Sequence, residues 1–171
     1  MNPENLQNKI NVLCQRLDNL DVQVTFTDLE SDNISIAQLK DQHIVINTRA
    51  RGGVNCMFTI AHLFGHLVQR LNYDRYAHLI ERVSAPKPIS VDESFRKEFY
   101  KYEVEAFRFG KGLLRSRFKM DREIDSKYTL FMLTDFDHFW RYITTGRQGD
   151  INTFNKMLNK SFQDWKSNTL F

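Results

Sequence analysis

Cysteine, proline and glycine are all scarce in this chain of 171 residues, at two, three and seven. The cysteines, Cys14 and Cys56, stand far apart and outside any Cys-x-x-Cys pattern. That excludes a disulfide framework or a cysteine-based zinc cluster, and fits a reducing compartment. So little proline and glycine leaves no room for long disordered linkers. No run approaches the roughly 18 apolar residues of a membrane span. The opening stretch MNPENLQNKI lacks the basic-then-apolar order of a signal peptide, so a cytoplasmic location and no membrane partner are expected. Phosphate-binding loops and nucleophile elbows are absent. The net charge of +3 is too small to demand direct nucleic-acid binding. What is present is ordinary globular material, 42% hydrophobic and 26% charged, with 14 phenylalanines against two tryptophans. This length predicts a single domain over 1–171 with a sizeable core.

Pattern along the chain predicts an α+β fold in which helices dominate. Residues 2–20 repeat Leu6, Ile10, Leu13 and Leu17 at helical spacing after an N-terminal proline. VQVTFTDL, ISIAQLK and HIVIN read as three strands, with "DQ" a tight reversal between the last two. They predict a small antiparallel meander packed on helices. Helices are then expected over 54–71, around 76–82, over 93–118, 128–143 and 151–166. The division predicted is a core over 1–118 and a helical C-terminal extension over 119–171.

The sharpest local signal is FTIAHLFGHLVQ, residues 58–69. Side chains four apart on a helix lie on one face, so His62 and His66 can grip one ion. The same face continues through Asn55, Thr59, Gln69 and Tyr73. The opposite one carries Met57, Ile60, Phe64, Leu67, Val68 and Leu71. Gly65 beside the stripe would let another backbone or a ligand approach closely. The plain alternative is a polar stripe facing water, or two histidines packed in a core. A catalytic zinc needs a third protein ligand and an open position.

The segment YKYEVEAFRFGKGLL offers that ligand. Its apolar stripe is Phe95, Phe99, Tyr102, Ala106, Phe109 and Leu113. Glu105 borders this stripe by angle, whereas Glu103 falls outside it. A carboxylate at the edge of a buried face is costly unless it is paired or metal-bound. The competing reading is an ion pair of Glu105 with Arg108 or Arg115, or of Glu98 with Arg108.

Together these pieces resemble the ImmA/IrrE family of zinc metallopeptidases. In that family a strand of the HIVIN type leads into a helix reading F-T-x-A-H-E-x-G-H, and a later helix carries E-A-(N)-x-F-A. The chain keeps Phe58, Thr59, Ala61 and Gly65 with both histidines, and then Glu105, Ala106 and Phe109; the match runs from about Val22 to Leu114. The resemblance implies a zincin-like core, a Zn2+ ion at His62, His66 and Glu105 with water in the fourth position, and a repressor-like protein partner. The chain also departs from the pattern. Leu63 stands where the catalytic glutamate belongs, Phe107 at the asparagine place and Gly110 at the alanine place. LLRSRF replaces Leu-Leu-Met-Pro, and the stretch between the two motifs is longer.

Leu63 cannot take a proton from zinc-bound water, and loss of a general base costs about 10²–10⁴-fold in rate. Three readings follow. The first is a pseudopeptidase that keeps the metal site and binds or regulates a protein. The second is a zinc hydrolase or lyase acting on a small molecule with another base, for which Glu98, Glu103 and Asp74 are candidates and Tyr102 a candidate oxyanion stabiliser. The third is a metal-free interaction domain. Two fainter signals remain. Arg49 and Arg51 in TRARGG could face an anion or simply water, and Ile151, Phe154, Leu158, Phe162 and Trp165 form a stripe expected to pack on the domain, with docking of a partner the alternative.

Overall fold

The computed structural model describes residues 3–28, 37–48, 53–71, 73–118, 120–147, 154, 156–160 and 163. The elements are α1 (Pro3–Asp18), β1 (Gln23–Thr27), β2 (Ala37–Lys40), β3 (His43–Asn47), α2 (Val54–Arg70), α3 (Tyr73–Ser84), α4 (Glu93–Arg117) and α5 (Arg122–Thr145). The mixed, helix-dominated class expected from the pattern is what forms. Arg49 and Arg51, the first residues of the ISIAQLK segment, and Ile151, Phe162 and Trp165 lie outside the described residues.

The antiparallel meander is not what forms. Strand order is β1-β3-β2, with β2 antiparallel and β1 parallel to the central β3. The reversal at Asp41–Gln42 does occur. Both residues have positive φ, 36° and 57°, as a two-residue type I′ hairpin requires. That turn commits one edge of β3 to β2, so β1 takes the other edge. Its register sets Val24 beside Ile44 and Phe26 beside Ile46, which aligns one apolar row across the sheet; Leu39 of β2 also faces Ile44. A slip of one residue would turn every member of that row to the wrong face, so burial fixes the register. A meander reading treats neighbours in sequence as neighbours in space, and here the first and second strands are not.

The chain clusters into two compact units, and α4 contributes to both. The first unit contains α1, the sheet, α2 and the part of α4 from Glu105 onward. Helix α1 packs on β1 and α2 through its buried Leu6, Ile10, Leu13 and Leu17, while α2 packs on β2 and β3. Every residue of α2 from Cys56 to His62 is buried, so its first two turns are covered all round, as in a core helix. Just past its end, Leu71, expected on the apolar face, is 79% exposed.

The second unit contains α3, the part of α4 up to Val104, and α5. Its core is aromatic. Phe99 lies among Phe95, Tyr102, Phe136, Phe139 and Trp140 at ring separations of 5.7–6.3 Å, within the range of favourable aromatic pairs. Tyr76 and Leu79 of α3 join this cluster. Caps set the helix starts. Asp92 Oδ1 accepts from the Phe95 amide and Asp121 Oδ1 from the Ile124 amide, which is why α5 begins well before the expected residue 128. Gly146 ends α5 at φ 70°, its amide donating to Tyr142 O. Of the C-terminal stripe, Phe154 and Leu158 are helical and buried. The Phe154 ring lies edge-on to Phe131 and His138. Among the described residues no helix is long and apolar enough to cross a membrane.

Candidate metal centre

Helix α2 carries both histidines one turn apart. The stripe they belong to does not face water: Thr59, His62 and Gln69 are all buried, Gln69 to 2% exposure. The covering element is α4. A Cβ placed on Gly65 would sit 1.9 Å from the carbonyl oxygen of Ala106, so the two backbones touch where α2 has no side chain. This close approach is what Gly65 beside the stripe predicts. It also brings the Phe107 ring flat onto His62, with centroids 3.8 Å apart and planes 26° apart.

Three candidate ligands converge. One nitrogen each from His62 and His66 and one carboxylate oxygen of Glu103 lie within 4.8 Å of one another. His62 and Glu103 are buried and His66 is half-buried. The two Nε2 atoms are 3.0 Å apart. Tetrahedral zinc with ligand bonds of about 2.0–2.1 Å would hold its donors about 3.3 Å apart, a spacing that the two imidazoles nearly have. Two imidazoles and a carboxylate, with one position left for water, are the donor set of a catalytic-type zinc site. The residues present therefore fit the metal that the family resemblance implies, with one change of carboxylate.

That change concerns Glu105. Its Oε2 accepts a hydrogen bond from Gln69 Nε2 at 3.1 Å, and Gln69 Oε1 lies 2.9 Å from His66 Nδ1. Glu105 thus reaches the histidines through Gln69, while Glu103 stands with them directly. By angle Glu103 falls outside the stripe of α4 that runs through Phe95, Phe99 and Tyr102, but that stripe is not the whole of the buried surface. The helix has a second, running through Glu103, Phe107, Gly110 and Leu114, all buried. These positions at i, i+4, i+7 and i+11 were a readable signal for a second buried face. Their burial turns the helix so that Phe109, assigned to the first stripe, is 39% exposed.

The remaining candidates belong to the second unit. Glu98 is exposed and pairs with His78 Nε2 at 2.9 Å. Tyr102 is buried in the aromatic core against Tyr76 and Phe99. Asp74 is exposed in the first turn of α3. Leu63, at the place of the catalytic glutamate, is half-buried. Comparison with family models, with curated proteins and with solved structures yields no match.

Proposed function

We propose that this chain holds a zinc ion at His62, His66 and Glu103 and uses the metal-bearing fold to bind a protein partner rather than to cleave peptides. The observation that carries the metal assignment is the convergence of the three donor atoms within 4.8 Å. Zinc bound there would acidify a water and polarise a carbonyl. The side chain next to His62 is Leu63, which has no atom able to accept that water's proton. His62, His66 and Glu103 would be spent on holding the ion, so none is left as a free base. Peptide hydrolysis is accordingly absent or very weak in this reading. A repressor-like protein is the partner implied by the resemblance to ImmA/IrrE peptidases.

A metal-free scaffold is the second reading, and one observation favours it: the His62–His66 Nε2 separation of 3.0 Å is also that of a hydrogen bond between two neutral rings. Metal analysis of untagged protein separates the two. One equivalent of zinc in the wild type, lost in His62→Ala and in Glu103→Ala, is the expected result. Folded wild type that takes up no zinc from an excess would overturn the metal assignment. Chelator-sensitive cleavage of a partner at ordinary metallopeptidase rates would overturn the loss of catalysis.

A further inference from the structure

The hydrogen bonds behind His66 fix which of its nitrogens carries the proton. An ionised carboxylate only accepts hydrogen bonds, so the amide NH2 of Gln69 must face Glu105 Oε2, as the 3.1 Å contact has it. The carbonyl of that amide, Oε1, is then turned to His66 Nδ1 at 2.9 Å. A carbonyl oxygen cannot donate, so Nδ1 must be the protonated nitrogen. A neutral imidazole has one N–H, which leaves Nε2 with its lone pair directed at His62 Nε2, 3.0 Å away, in the group that Glu103 completes. With Glu105 ionised and the imidazole neutral, the chain Glu105–Gln69–His66 admits one arrangement.

We infer that Glu105 and Gln69 are positioning residues: together they lock His66 in its Nδ1–H tautomer and so present Nε2 as a ready metal donor. The use of that donor for zinc rests on the function proposed above; the tautomer itself does not. The arrangement assigns Glu105, the family-pattern ligand, a supporting role. Metal-binding histidines commonly donate their other N–H to an oxygen that orients the ring, and loss of such a partner costs about 10–100-fold in metal affinity. Here the orienting oxygen is an amide carbonyl, itself held by a carboxylate. The burial of Gln69 limits competition from water for either bond.

Long-range 1H–15N correlation spectra of the histidine rings, recorded on zinc-free protein at a pH where imidazoles are neutral, read the tautomer directly. The wild type should show His66 as Nδ1–H. Gln69→Leu should release it to a mixture of tautomers. Combining Gln69→Glu with Glu105→Gln exchanges the carboxylate and the amide, and this pair should restore Nδ1–H, because the new carboxylate still accepts from His66. Zinc competition titrations complete the test. Gln69→Leu should lower affinity about 10–100-fold, and adding Glu105→Ala to it should cost nothing further, since Glu105 acts through the missing amide. An Nε2–H ring in the wild type would overturn the inference. So would complete loss of zinc on adding Glu105→Ala, which would make Glu105 a ligand. An Nδ1–H ring in a wild type that binds no zinc would uphold the lock and dismiss only the metal reading.

Discussion

Gly65 and Ala106 meet backbone to backbone: a Cβ on Gly65 would overlap the Ala106 carbonyl, with 1.9 Å to its oxygen and 2.6 Å to its carbon. Neither helix can yield locally, because the obstacle is main chain rather than a flexible side chain. Gly65→Ala should therefore cost on the order of 3 kcal/mol, at the upper end of overpacking penalties. Urea denaturation followed by circular dichroism would show it as a lowered midpoint at unchanged slope. An unchanged midpoint would mean that α2 and α4 do not cross here.

Phe107 covers one face of His62 and is itself buried. Truncation to alanine should cost about 3–5 kcal/mol as a large-to-small core change. Phe107→Leu is milder and isolates the stack. The ring protons of His62 should be shifted upfield in the wild type by the aromatic face above them, and should move back toward ordinary values in Phe107→Leu. Identical His62 shifts in the two proteins would contradict the stacked geometry.

Tyr128 has its phenol pKa raised, first by burial and second by the negative charge of Asp135. The sign follows from linkage. Above the ordinary tyrosine value of about 10 the unfolded chain loses this proton while the folded one keeps it, so stability falls as pH rises past that point. One such group contributes at most about 1.4 kcal/mol per pH unit. Tyr128→Phe should flatten the decline measured by denaturation between neutral and strongly alkaline pH. Parallel stability-versus-pH curves for the two proteins would show that Tyr128 ionises freely in the fold.

Asp92 and Asp121 each accept a hydrogen bond from the amide three residues on, at 2.7 and 2.8 Å. Replacing either with alanine should remove about 1 kcal/mol. Serine at the same positions should recover most of it, because a hydroxyl can take the same bond. A serine variant as unstable as the alanine one would mean that the caps are not what these residues provide.

Much of this was legible in the sequence, for identifiable reasons. The HIVIN strand and the histidine helix were readable because alternation in one and four-residue spacing in the other are local signals. The Asp41–Gln42 reversal was readable because two polar residues separate two strand patterns. Strand order was not, since nothing local in VQVTFTDL says that it pairs with the third strand rather than the second. The carboxylate that stands beside the two histidines was not legible for a related reason. Glu105 occupies the place a linear motif assigns, but which side of α4 faces α2 depends on a glycine on another helix and on a second stripe through Phe107 and Leu114. The burial of Gln69 had no signal at all, since glutamine on a polar face reads as solvated until a neighbouring helix covers it.

The placement of β3 between its two neighbours also implies an order of assembly. Its pairing with β2 is closed by two residues, so the hairpin can form with little loop entropy to overcome. Its pairing with β1 joins Gln23 to His43, across a stretch that must first be drawn together, and parallel partners gain nothing from a shared turn. The hairpin should be the early event and the docking of β1 the late one. Substitutions in the Asp41–Gln42 turn should then slow folding, while trimming Val24 or Phe26 should chiefly hasten unfolding.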